Sequence, residues 1–336
     1  LAVKARATEL KARGVQIVSF AAGEPDFDAP EAMKRAVREA LDQRTNVYVP
    51  TPGDAATREV IAAKLRDENG LAGVTAEHVV VCSGGKHALY ELFMALLDDH
   101  DPEIPGEVLL PTPAWVSYDP QIRLAGGTVV EMPTTAAEDF KITPERLEAA
   151  ITARTRALVI NSPSNPCGTM YSPDELRALA SVVAEKAATV APHLVVISDE
   201  LYEKIVYGPF EHFSIGSLPS IAERTITVNG LSKAYAVTGW RLGYVAGVGA
   251  FGLEVAKGIR KLQSQSTTSV ASLLLPAVRA AMTECGEDIE RMRRAFAARA
   301  EVAYARAQLI PGFNCPKPTG AFYLFPDISE HFGKTS

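Results

Sequence analysis

Cysteine is scarce and scattered: Cys82, Cys167, Cys285 and Cys315 form no Cys-x-x-Cys pair and have no accompanying set of histidine ligands. That usage argues against a disulfide framework or a cysteine-held metal, and for buried thiols in a cytoplasmic protein. Long apolar runs are also missing, so no stretch offers the roughly 20 residues of a membrane-spanning helix. Neither end reads as a signal peptide. Positive charge is in deficit, with 34 Lys and Arg against 40 Asp and Glu and a net charge of -6. No basic stripe interleaved with aromatics is present, which argues against a nucleic-acid surface. There is no internal repeat and no low-complexity segment. No Gly-x-Gly-x-x-Gly follows the first strand, so a generic dinucleotide-binding protein fits poorly. Leu1 is not an initiator methionine and Ser336 follows a polar tail, so both ends are expected to be cut.

What remains is the composition of an ordinary soluble protein, 47% hydrophobic and 22% charged, long enough at 336 residues for one large and one smaller domain. From about residue 75 to 247, short apolar runs alternate with longer amphipathic ones. Seven runs read as strands, centred on Val80, Leu109, Val129, Leu158, Val196, Ile226 and Val245. They are continuous in apolar character rather than alternating, as in a sheet covered on both faces. Ser172-Pro173-Asp174-Glu175 is a capping box with proline at the first helical position, and Thr143-Pro144-Glu145 opens a helix similarly. The fold class is therefore α/β, with a mostly parallel seven-stranded sheet flanked by helices. A long helix is expected from Ile289 to about Leu309, followed by an apolar, strand-like run at Ala321–Phe325. Residues 1–30 and 282–336 are expected to form a smaller α/β domain beside a large domain at 31–281.

Chemistry gathers where the apolar runs end. After Thr225–Val228 comes Gly230-Leu231-Ser232-Lys233, with Arg241-Leu242-Gly243 following. A lysine among small residues at a strand end can be desolvated, as an imine-forming amine requires. An arginine eight residues on suits a phosphate. Together they point to pyridoxal 5'-phosphate. Ser83-Gly84-Gly85-Lys86 opens a helix after the first strand, and its free amides can approach an anion. Asp199 ends an apolar strand, where a carboxylate needs a cationic partner such as a pyridinium.

Residues 230–243, GLSKAYAVTGWRLG, resemble the lysine-attachment signature of the class-I, fold-type-I pyridoxal phosphate-dependent aminotransferases, and the likeness runs over nearly the whole chain. It implies the aspartate aminotransferase-like fold and a homodimer with shared active sites. It also implies roles for individual residues. Lys233 holds the cofactor as an imine and then moves the proton at the substrate α-carbon. Asp199 keeps the pyridinium charged, and Tyr202 and Asn165 address the phenolic oxygen. Arg241 with Gly84, Gly85 and Lys86 holds the phosphate, joined by Tyr48 of a neighbouring subunit. Trp115 stacks on the ring, and Gly23 lies near the substrate carboxylate. Trp115, Asn165 and Lys86 also face substrate, Lys86 as the partner of a distal carboxylate. Cys167 occupies the variable position of the family's asparagine-proline-x-glycine motif, and Glu200 is assigned to structure. The arginine that binds the substrate α-carboxylate in this family is expected beyond Ser336. No metal is expected. The reaction implied is transfer of an amino group from an acidic donor, aspartate first, to 2-oxoglutarate by a ping-pong mechanism. Prephenate, aromatic or alanine-type donors, a lyase, or a non-catalytic regulatory module are the alternatives. No appended basic recognition helix supports the last.

Overall fold

A computed structural model describes residues 2–18, 23–43, 46–97 and 106–333. The strands are β1 (Val79–Cys82), β2 (Glu107–Thr112), β3 (Thr128–Pro133), β4 (Thr155–Asn161), β5 (Val195–Asp199), β6 (Thr225–Gly230) and β7 (Gly243–Gly247). The helices are α1 (Ala2–Ala12), α2 (Glu31–Leu41), α3 (Ala55–Asp67), α4 (Gly85–Leu97), α5 (Tyr118–Leu124), α6 (Pro144–Ala150), α7 (Pro173–Thr189), α8 (Gly249–Gln265), α9 (Leu275–Glu284) and α10 (Gly286–Ala307). All seven strands join one sheet in the order β1-β7-β6-β5-β4-β2-β3. Only β7 runs against its neighbours.

The continuous apolar runs are explained by this order. β1, β5, β6 and β7 are buried along their whole length, and the sheet carries one apolar cluster on one face and two on the other. β3 lies at the edge and is mostly half-exposed. The capping residues act as their sequence suggests. Thr143 Oγ accepts the Arg146 amide at 3.3 Å. Ser172 Oγ accepts the Glu175 amide at 3.2 Å while the Glu175 carboxylate accepts the Ser172 amide at 2.6 Å. All four cysteines are free and buried, and no helix among the described residues is long and apolar enough to cross a membrane.

The apolar run at 321–325 is not a strand. Gly320 makes a single bridge to Val206, and the chain then turns through Ala321 at φ 55°. The side chains explain the departure: Phe322 stacks on Phe296 of α10 at 5.0 Å between centroids, and Phe322 and Tyr323 both meet Tyr202 at 5.6 Å. Aromatic packing has taken residues that would otherwise have alternated across a sheet. The boundary expected at 281/282 falls inside α9.

Register lines up one edge of the sheet. Asn161 pairs with Asp199, Asp199 with Val228, Gly230 with Gly243, and Gly243 with Cys82. The carboxyl ends of β1, β4, β5 and β6 thus share a rim, the usual place for ligands in such sheets. Replacing the capping hydroxyl, Ser172→Ala, should lower stability by about 1 kcal/mol, read as a shifted urea midpoint with an unchanged slope.

Candidate active site

Glycine allows the rim to close. Gly84 has φ +87°, and a Cβ on it would sit 2.5 Å from Nη2 of Arg241. A Cβ on Gly243 would collide with the backbone of Gly84 and Gly85. The guanidinium is therefore pressed against the turn that opens α4, where free amides and the helix dipole favour an anion. Arg241 itself is left-handed, φ 57° and ψ 53°, and its guanidinium donates to the carbonyl of Thr238 at 2.8 Å. A non-glycine residue held there is strained, and such strain gathers at functional sites.

Gly85, Lys86, Trp115, Asn165, Asp199, Tyr202 and Lys233 line one pocket, joined by Leu89, Tyr118, Asn161 and Leu201. Lys233 Nζ donates to the carbonyl of Gly23 at 2.5 Å and lies 5.6 Å from the centroid of the Phe322 ring. Burial holds its amine below the ordinary lysine value; Glu24 opposes that shift and Arg241 adds to it. A desolvated amine at a strand end is what a nucleophilic lysine needs.

Asp199 is 5% exposed. Its carboxylate accepts the Tyr118 hydroxyl at 2.6 Å and the Leu201 amide at 3.2 Å. Burial nevertheless pushes its carboxyl up to about 6, against those two bonds and with a smaller push from Glu200. Two neutral donors do not hold the buried charge at its ordinary cost.

Asn165 Nδ2 lies 3.3 Å from the hydroxyls of both Tyr202 and Tyr323, which are 2.6 Å apart. The Asn165 backbone N–H donates to Asn161 Oδ1 at 2.7 Å, which fixes the turn. The turn carrying it closes through Gly168 at φ +72°, where a Cβ would collide with the carbonyl of Tyr323. Lys86 Nζ sits 5.1 Å from the centroid of the Trp115 ring.

Four expected residues are not in the lining of this pocket: Gly84 and Arg241, which meet each other at the rim, and Gly23 and Tyr48. Gly23 meets the site through its carbonyl rather than by lining the pocket. Tyr48 is 89% exposed and does not reach the pocket of its own chain. Tyr118 and Tyr323 were not singled out from sequence. Tyr118, three residues after Trp115 at the start of α5, carried a weak signal; Tyr323 carried none beyond lying in an aromatic run.

The Asp199 carboxyl fixes a pH dependence. Its folded value of about 6 lies above the unfolded value near 3.8. Its contribution to apoprotein stability is complete below the unfolded value and is lost as pH rises through the folded one. Asp199→Asn should therefore gain on the parent by a few kcal/mol between about pH 4 and pH 6. Urea unfolding of both apoproteins across that window measures it, and a pH-independent difference would contradict it.

Residues 15–335 match the family described as aminotransferase class I and II. The chain is 44% identical over 331 residues to an aspartate aminotransferase of Geobacillus stearothermophilus, covering 98% of this chain and 80% of that protein. It is 43% identical to an aspartate/prephenate aminotransferase of Thermus thermophilus, covering 98% and 81%. The solved aspartate aminotransferase of Thermus thermophilus with maleate superposes with a TM-score of 0.90 at 42% identity, covering 99% of this chain and 82% of that one. With these likenesses spanning every element that builds the pocket, the chain belongs to the class I and II aminotransferases and is an enzyme of the transaminase type, built on the aspartate aminotransferase fold.

Proposed function

We propose that the enzyme uses pyridoxal phosphate to move the amino group of an acidic amino acid, L-aspartate first, to 2-oxoglutarate by a ping-pong reaction. The observation that carries the cofactor is the buried Asp199 carboxyl, facing the same pocket as a desolvated lysine. The residues fit the group. Gly84 with Arg241 leaves an anion cradle that a Cβ on Gly84 would fill, at the turn that Gly85 continues into α4. Asp199 supplies the acceptor a ring cation needs, and the paired hydroxyl of Tyr202 with Asn165 supplies donors for a phenolic oxygen. When bound, the cofactor supplies an electron sink for the charge left on the substrate α-carbon. Lys233 would hold the cofactor covalently, and its desolvated amine would supply the base for the α-proton. Trp115 walls the pocket.

The acidic donor is supported by Lys86, whose ammonium faces this pocket beside the Trp115 ring. A second carboxylate brought out of water needs such a cation. The Thermus neighbour with maleate, a dicarboxylate, agrees with that reading. Prephenate is the second reading, favoured by the aspartate/prephenate name of the 43% identical relative. The exposure of Tyr48 supports a homodimer in which it serves the neighbouring site. The two ends of the chain support a joint smaller domain: Arg299 of α10 pairs with Asp26 at 2.6 Å, and Phe27 packs on Phe296 at 5.4 Å.

Visible spectra before and after L-aspartate, with no keto acid added, test the proposal. A band from lysine-bound cofactor should convert to a pyridoxamine-type spectrum with one equivalent of oxaloacetate. Lys233→Ala should abolish turnover, a loss of several orders of magnitude for an essential nucleophile. Lys86→Gln should raise KM for aspartate about tenfold or more while sparing neutral donors. A band that ignores aspartate but responds to aromatic donors would overturn the acidic assignment.

A further inference from the structure

Behind the pocket, on the far side of the segment that carries Asp199 and Tyr202, lies a buried polar group that the proposed chemistry does not use. Glu200 directly follows Asp199 and is 1% exposed; Glu203 directly follows Tyr202, with its side chain 8% exposed. Residues 199, 201 and 202 line the pocket, and 200 and 203 do not.

All four carboxylate oxygens of the two glutamates face donors. Glu200 Oε1 accepts the hydroxyls of Ser198 at 2.8 Å and Ser214 at 2.6 Å. Its Oε2 accepts Asn69 Nδ2 at 2.9 Å, and His212 Nε2 lies 3.2 Å away but poorly aligned for a hydrogen bond. Glu203 Oε1 meets Lys64 Nζ, and Oε2 accepts Asn69 Nδ2 at 2.7 Å. Lys64 Nζ also donates to Asn69 Oδ1 at 2.6 Å. Asn69 is the hub, spending its amide on both glutamates and its carbonyl on the lysine. Glu200, Glu203 and His212 could in principle gather a cation. The protein's own donors already occupy those oxygens, which makes the group a clamp.

Such a group is dear to bury, and apolar residues of similar volume often serve stability equally well. Its use here has a local reason. Residues 200–204 belong to no helix or strand, so no ladder fixes them. The Glu200 amide bonds to the Val228 carbonyl, the Glu203 amide to the Glu200 carbonyl and the Ile205 amide to the Tyr202 carbonyl, and side chains add to that short set of backbone bonds. We propose that Asn69 and Lys64 are positioning residues for this site, fixing Asp199 and Tyr202 from behind by clamping Glu200 and Glu203. The inference rests on reading the pocket as a pyridoxal phosphate site.

The test compares the parent protein with Asn69→Ala, Lys64→Arg and the double variant Lys64→Met/Glu203→Gln, which removes both ions together. Hydrogen exchange in the apoproteins should speed up across residues 199–205 in Asn69→Ala and in the double variant. Their affinity for pyridoxal phosphate should fall roughly tenfold, the order seen when a support behind a ligand is lost, and the visible maximum should shift. Lys64→Arg, which keeps the cation, should stay close to the parent. A lowered melting temperature with parental affinity and spectrum would overturn the proposal, because the clamp would then be only structural. Unchanged exchange at 199–205 would overturn it too. Should Asn69→Ala not fold, the double variant decides in the same way. Failure of the parent itself to take up pyridoxal phosphate would sink the functional reading, while exchange in the apoproteins would still judge the clamp.

Discussion

A carboxyl group buried at the end of β5 is the constraint around which the rest of the pocket is arranged. Desolvation disfavours the charged form, and the Tyr118 hydroxyl and the Leu201 amide offset only part of that, so the carboxyl rests at about 6. A permanent cation beside it would restore the charge, and in the reading proposed above that cation arrives with the ligand. The protein thus keeps its site short of one positive charge. The same desolvation acts in the opposite sense on Lys233, favouring the neutral amine. One low-dielectric pocket prepares both groups.

The sheet makes that arrangement possible. Parallel neighbours β4, β5 and β6 bring Asn161, Asp199 and Gly230 to the same rim, and the reversed β7 returns Arg241 to the edge where β1 delivers Gly84. Three glycines then let backbones and a guanidinium approach more closely than any Cβ would allow. The cost is local strain at Arg241, held left-handed between the rim and the Thr238 carbonyl.

How much of this was legible depends on whether the signal was local. Buried parallel strands are near-continuous apolar runs, so each announced itself, and Lys233, Asp199, Asn165 and Gly84 follow such runs directly. Helix starts at Ser172 and Thr143 were equally plain because a cap is a pattern four residues long. Tyr118 was barely legible and Tyr323 not at all, since each matters through a hydroxyl that meets a partner 81 or 121 residues away. Asn69 and Lys64 are further examples: a polar residue near the end of a helix looks solvated until tertiary packing buries it. The run 321–325 misled for the converse reason, because aromatic residues satisfy a strand pattern and a packed turn alike. Tyr48 is legible only through resemblance, as nothing within one chain gives it a partner in the pocket.

The placement of the charges also separates what is general from what is selective. In the proposed reading, Lys233, Asp199, Asn165, Tyr202 and Arg241 would answer groups found in any amino acid or in the cofactor, and none of them would measure a side chain. Lys86 is different: it lies on the wall beside Trp115, and in the proposed reading its charge would oppose a carboxylate but offer nothing to an apolar donor. An ammonium kept near an aromatic face is partly satisfied without an ion-pair partner, since the ring quadrupole attracts it. That makes it cheap to hold ready, and its differential value appears only when a second carboxylate enters. In the proposed reading, selectivity of this kind resides in one side chain on a helix whose first turn would serve the phosphate, so the donor could change while the bond-making residues stay in place.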